Sequence, residues 1–216
     1  MKKKNGTLQQ LAGDYIKELK RVIDSLDLKR VEEAFKMLMT VYKEGSRVFV
    51  LGNGGAASTA SHMACDLGKG TLARIYDNNE KRLRVMSLTD NVSLLTAYAN
   101  DLSYQDIFVQ QLRNLVDKGD LVIVLSGSGG SSNVIKAAQY AKERGAKTIG
   151  LLGFNDGGKL ARLVDCPIII QSTHYGPIED AHLIFNHILT SWFARAKKEF
   201  DGIKETENGY IPFRND

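Results

Sequence analysis

The chain has 216 residues, 43% apolar and 25% charged, the proportions of an ordinary globular domain with enough apolar surface to bury a core unaided. Lys and Arg outnumber Asp and Glu by 29 to 25, a surplus that includes Lys2, Lys3 and Lys4 and is too small and dispersed for a nucleic-acid footprint. Two cysteines without a CxxC pair exclude a disulfide scaffold, no run approaches the roughly 18 apolar residues of a membrane span, and Asn5, Gly6 and Thr7 stand where a signal peptide would be apolar, so the expected location is the cytoplasm.

Residues 8–45 read as two helices. Leu8, Leu11, Tyr15, Ile16, Leu19, Val22 and Ile23 recur at helical spacing, as do Val31, Ala34, Phe35, Leu38, Met39 and Tyr42. The break falls at Asp24–Asp27, and Gly45 gives the stop signal. Without a Gly/Ser linker behind it, this hairpin is expected to pack onto the main domain. Arg47–Leu51 reads as a buried strand ending in Gly52-Asn53-Gly54-Gly55. Ala56–Leu67 is then a helix, Leu83–Leu88 a strand, and Asn91–Ala99 and Tyr104–Val116 helices. Leu121–Leu125 (LVIVL) is the clearest buried strand. Asn133–Gly145 comes next as a helix, Thr148–Leu152 as a strand and Lys159–Val164 as a short helix. Cys166–Ile170 is a fifth strand, pushed toward a sheet edge by Pro167. Ile178–Lys198 is a long amphipathic helix. Beyond Phe200 the tail is polar, with Tyr210 and Phe213 either docking on a neighbour or fraying. Strands alternating with helices across short glycine loops predict one α/β domain built on a five-stranded, parallel, doubly wound sheet.

In such sheets ligands bind beyond the carboxyl ends of the strands. After the third strand comes Ser126-Gly127-Ser128-Gly129-Gly130-Ser131-Ser132, opening a helix. Free N–H groups at a helix start, glycines that admit a close approach and several hydroxyls together suit a phosphate. The Gly-Lys-Ser/Thr ending of a nucleotide loop is missing, and Thr89-Asp90 is a weak match to the acidic residue of a dinucleotide site. No nucleotide cofactor is expected, and a sugar phosphomonoester fits best. A serine-glycine run can also be only a loop; its place between a buried strand and a helix is what favours phosphate. His62 and Asp66, four apart, share a helix face, which serves a surface ion pair, a metal chelate or a shared proton. His187 stands among Leu183, Ile184, Phe185, Ile188 and Leu189, the setting of a core histidine as much as of a site residue. Cys65 reads as a small buried hydrophobe. His174 and Tyr175 fall in a loop, and nothing in their spacing selects them.

The glycine turn with His62, the serine loop Ser126–Ser131, and Ile178-Glu179-Asp180-Ala181-His182 with His187 together resemble the sugar isomerase (SIS) domain. Within it the phosphoheptose isomerases are most similar, over about residues 8–198 and including Asn100-Asp101 and Asp106-Ile107-Phe108. The resemblance implies one flavodoxin-like SIS domain over 1–216, with an N-terminal helical hairpin at 1–45 and a tail at 199–216. It implies a homotetramer with active sites at subunit interfaces. The implied reaction is the aldose–ketose isomerisation of sedoheptulose 7-phosphate to D-glycero-D-manno-heptose 7-phosphate, or of a related sugar phosphate, through an enediol or enediolate. Ser126, Ser128 and Ser131 are the implied phosphate ligands, with Asn53, Gly54, Asn91 and Lys69 completing the substrate set. The implied acid/base pair falls on Asp66 and His187, and the chemistry leaves Asp66 or Glu179 open as the base with His187 its acid/base partner. Where that family binds zinc, one ion per active site, the ligands fall on His62, Asp66, Glu179 and His187. The chain departs at Asp66 (for Glu), Glu179 (for Gln), Ala56 (for a substrate-binding Ser), Gly127 (for Thr) and Gly70 (for an Arg whose charge Lys69 can replace). The same fold serves non-catalytic sugar-phosphate sensors and protein-binding modules, among them a replication-initiator-binding protein. Four titratable groups at matching places favour an enzyme. Lyases sharing the fold carry a glutamate motif absent here.

Glu179 and His187 are eight apart, about 12 Å along an ideal helix. One metal cannot reach both from one straight helix. Either Glu179 precedes the helix, near Pro177, or the two come from different subunits, which the resemblance favours.

Overall fold

Successive side chains of the first strand point to opposite faces, and each face meets its own core. Val48 and Val50 join one cluster with Leu38, Met63, Phe185 and Phe193. Phe49 and Leu51 join another with Phe108, Leu112, Val134 and Ala138. The computed structural model describes residues 6–203; Lys2, Lys3, Lys4, Tyr210 and Phe213 lie outside them. The five strands are β1 (Arg47–Gly52), β2 (Arg84–Ser87), β3 (Leu121–Ser126), β4 (Lys147–Leu152) and β5 (Cys166–Ile169). They form a wholly parallel sheet in the order β2-β1-β3-β4-β5, the predicted doubly wound architecture. Connections leave β1 and β3 toward opposite edges, so a crevice opens where those neighbours end, at the glycine turn and the serine loop. Pro167 does sit on the edge strand.

The helices are α1 (Leu8–Asp24), α2 (Leu28–Glu44), α3 (Gly55–Cys65), α4 (Val92–Asp101), α5 (Val109–Leu115), α6 (Ser132–Glu143) and α7 (Tyr175–Phe200). The first three and α7 cover one face, and α4 to α6 the other. Local chemistry sets the hairpin boundaries. Thr7 and Gln10 form a capping box on α1, the Asp27 carboxylate accepts from the Lys29 and Arg30 N–H groups, and Gly45 closes α2 in the left-handed region.

Five expectations need correction. The Tyr104–Val116 helix is split into a single turn at Tyr104–Asp106 and α5, because Asp106 is held by Ser103 and by Lys136 of α6. Lys159–Val164 is one tight turn, since the Leu160 N–H bonds across to Gly129. Helix α3 stops at Cys65 and the chain widens into a π-turn over Asp66–Gly70. Helix α7 starts at Tyr175, three residues before Ile178, with Pro177 in the first turn where its missing N–H costs nothing. Cys65 is exposed, for Ala56, Ala60, Met63 and Leu67 form the buried side of that segment. Among the described residues no helix is long and apolar enough to cross a membrane.

Candidate active site

The serine loop is held in shape by its backbone. Gly129 has φ +58, and a Cβ there would stand 1.9 Å from the Gly157 carbonyl oxygen, so only glycine fits. Ser126 Oγ accepts from the Gly129 N–H at 3.2 Å and Ser128 Oγ from the Gly130 N–H at 3.3 Å, which leaves both hydroxyl protons available to a ligand. Ser131 is the N-cap of α6 yet makes no side-chain cap bond, so its hydroxyl is available as well. Three hydroxyls and the N-terminal N–H groups of a helix thus face the crevice end of β3.

The glycine turn is tied to this loop through Asn53. Its amide and that of Asn133 exchange two hydrogen bonds, each 2.9 Å, and the Tyr104 hydroxyl donates to Asn53 Oδ1 at 3.1 Å. Sequence reasoning missed Asn133 and Tyr104; the available signal was Asn133's place in the first turn behind the serine loop. Gly54 is the N-cap of α3. Asn91 caps α4 by accepting from the Leu94 N–H, and Lys69 projects from the π-turn into solvent.

A second cluster forms where α3 runs beside α7. His62 Nε2 lies 3.1 Å from Asp66 Oδ2, His187 Nε2 lies 3.7 Å from the same oxygen, and the two imidazole nitrogens are 3.3 Å apart. Asp66 keeps helical backbone angles at the junction with the π-turn, and its carboxylate reaches α7. Three lone-pair donors aimed at one point repel unless a cation, proton or metal, sits among them. Their spacings match the edge of a tetrahedral site, about 3.3 Å for metal–ligand bonds of about 2.0–2.1 Å. The residues therefore fit a divalent metal, with a fourth position open. Asn186, buried on α7, donates to Asp66 Oδ2 at 2.7 Å. It too escaped sequence reasoning, as one polar residue inside an apolar stripe.

Glu179 is not brought to this cluster. It lies in the second turn of α7 with its carboxylate over Gly55, 2.6 Å from where a Cβ would stand. The alternative that places it before the helix is thereby excluded. Gly55 to His62 spans seven residues, about 10 Å of helix, so one chain's glycine turn and its histidine pair stand about two turns apart along α3. Nearby, Tyr15 donates to Asp180 Oδ2 at 2.5 Å, and that bond to a carboxylate pushes the phenol up to about 12. His182 is buried, with Nε2 3.2 Å from the Leu152 carbonyl oxygen and Nδ1 unpartnered; burial pushes it down to about 4.

The family model described as SIS domain matches residues 14–153. A phosphoheptose isomerase of Aliarcobacter butzleri is 37% identical over 78% of this chain and 86% of its own length. That of Aneurinibacillus thermoaerophilus is 35% identical over 87% and 88%. The solved phosphoheptose isomerase of Neisseria gonorrhoeae superposes with a TM-score of 0.78 at 27% identity, covering 88% of this chain and 100% of that one.

Proposed function

The chain belongs to the SIS domain family, and from that membership we propose that it is a phosphoheptose isomerase, interconverting sedoheptulose 7-phosphate and D-glycero-D-manno-heptose 7-phosphate. The observation that carries this reading beyond fold is the meeting of His62, Asp66 and His187, because a module that only senses a sugar phosphate needs the serine loop but no convergent acid and base.

The phosphate is gripped by Ser126, Ser128 and Ser131 and by the start of α6, and this grip fixes the reacting carbons in place. Asp66 removes a proton from C1 of the ketose. The C–H electron pair becomes the C1–C2 double bond as the C2 carbonyl oxygen takes up charge, and His187 passes a proton to that oxygen. Return of a proton to C2, with loss of the O1 proton, gives the aldose. Glu179, over the glycine turn, lies with Asn53 and Gly54 at the sugar-binding end. In place of a shared proton, His62, Asp66 and His187 would hold a zinc ion, which would supply Lewis-acid polarisation of the sugar oxygens.

The separation of about 10 Å along α3 between glycine turn and histidine pair supports sites shared between subunits. So do the exposed Leu8, Leu11 and Ile16 of α1 and Trp192 of α7, apolar surface of the kind an oligomer covers. The Glu179 of a neighbouring copy would then complete the ligand set.

Incubation with sedoheptulose 7-phosphate and a panel of other ketose phosphates, with and without a chelator, tests the proposal. Aldose formation from the heptulose phosphate above the others supports it. No aldose from any ketose, with zinc supplied, overturns it in favour of a binding module.

A further inference from the structure

Position 186 on α7 belongs to the buried stripe formed by Ile178, Ala181, Phe185, Leu189 and Phe193, and its amide is fully buried. Burying an amide is costly unless both ends are bonded. Asn186 is bonded at both: Thr190 Oγ1 donates to its Oδ1 at 3.4 Å, and its Nδ2 donates to Asp66 Oδ2 at 2.7 Å. An ionised carboxylate only accepts, so the amide NH2 end faces Asp66 and the Thr190 hydroxyl, free to donate, meets the other end.

Asp66 Oδ2 has three neighbours, and they differ in kind. His62 and His187 are exposed and their rings can swing toward solvent or substrate. The Asn186 amide is sealed between α7 and the π-turn and has no other place to go. It occupies one lone-pair direction of Oδ2 and leaves the open side of that same oxygen facing the two imidazoles. Asp66 has helical backbone angles at the junction with the π-turn, which set its Cα–Cβ direction but leave the carboxylate's rotamer to its neighbours.

We propose that Asn186 is a positioning residue for the His62–Asp66–His187 centre: its buried amide sets the Asp66 carboxylate in the orientation that takes a proton or a divalent cation. The inference rests on the reading of this centre as the reacting end of an isomerase. Asn186 reaches neither the serine loop nor the glycine turn, so its loss is felt at the reacting end and not in phosphate binding.

The test compares the wild type with Asn186→Leu and Asn186→Ala. Each is titrated with cobalt(II), whose absorption spectrum reports ligand geometry, and each is assayed with sedoheptulose 7-phosphate. Both variants remove the donor, one by filling the space and one by emptying it, so either suffices if the other misfolds. The expected result is a 10–100-fold weaker cobalt affinity with an altered spectrum, the usual scale for a partner behind a metal ligand. A fall in kcat of at least about 10-fold with KM within about 2-fold accompanies it. Folded variants that bind cobalt with wild-type affinity and spectrum, and turn over at the wild-type rate, overturn the proposal. If the wild type isomerises but takes no cobalt, the kcat comparison decides alone. A wild type that neither isomerises nor binds cobalt overturns the reading of the centre and this inference with it.

Discussion

One carboxylate oxygen, Asp66 Oδ2, draws together two histidines and an asparagine from segments about 120 residues apart, so the proposed reaction centre is most sensitive to single atoms at this point. Replacing Asp66 by Asn, or His187 by Ala, should lower kcat by at least about 100-fold, the scale of lost acid–base catalysis. Steady-state kinetics with folding checked by circular dichroism measures it, and unchanged turnover removes that residue from the chemistry. A second residue-scale prediction concerns Gly127. A Cβ there would meet the Tyr175 ring at 3.1 Å, so the ring already fills the space that a side chain in the serine loop would use. Gly127→Thr should cost about 1–3 kcal/mol as an overpacking substitution. Tyr175→Ala in the same background should restore most of that cost. Urea unfolding of the four proteins of the cycle measures the coupling, and additive effects would show that the ring does not shape the loop.

Helix α7 is the element on which the functional parts depend. Its first turns rest on glycines after three strands, with Tyr175 on Gly127, Glu179 on Gly55 and Ile178 on Gly153, and two turns further on it supplies Asn186 and His187. His182 sits in the middle of this contact. Unfolded, its imidazole takes a proton below the ordinary 6.5; folded, burial keeps it neutral down to about 4. Its contribution to stability is therefore fully present above pH 6.5 and is lost progressively as pH falls to about 4. His182→Leu should flatten the pH dependence of unfolding free energy across that window, whatever it does to the absolute value. Denaturant unfolding at a series of pH values measures the slope, and parallel profiles would refute the assignment. Periodicity made α7 legible as a long helix. It did not give the start, because Pro177 argues for a boundary in sequence and is harmless in a first turn. Nor did it give the Tyr104–Asp106 turn, where a lysine from another helix decides the break.

The whole molecule is closed at the far end of α7 by a buried ion pair. Lys197 Nζ lies 2.5 Å from Glu80 Oε1, both fully buried, and Glu80 also accepts from the Ala73 and Arg74 N–H groups, which anchors the long connection between the π-turn and β2. Burial pushes the Glu80 carboxyl up, but these three donors outweigh it and hold it below the usual carboxylate range. Its share of stability is thus present at neutral pH and lost in acid. Lys197→Met should destabilise by about 3–5 kcal/mol, because it leaves a buried carboxylate uncompensated; thermal and urea unfolding check the figure, and a near-neutral effect would mean that water enters this end. If copies share active sites, sedimentation should give a mass close to four times the 23.9 kDa of one chain, and a stable, fully active monomer would end that idea. The sequence alone determined the order of elements, the parallel sheet with its edge strand, and the two loops at the crevice, because hydrophobic period, proline and glycine act within a few residues of where they stand. The resemblance groups His62, Asp66 and His187; only the tertiary structure decided that Asn186 joins them, that Glu179 lies against Gly55 instead, and that Cys65 faces solvent. Those outcomes depend on how α3 and α7 pack side by side, and a contact between segments about 120 residues apart leaves no local pattern to read.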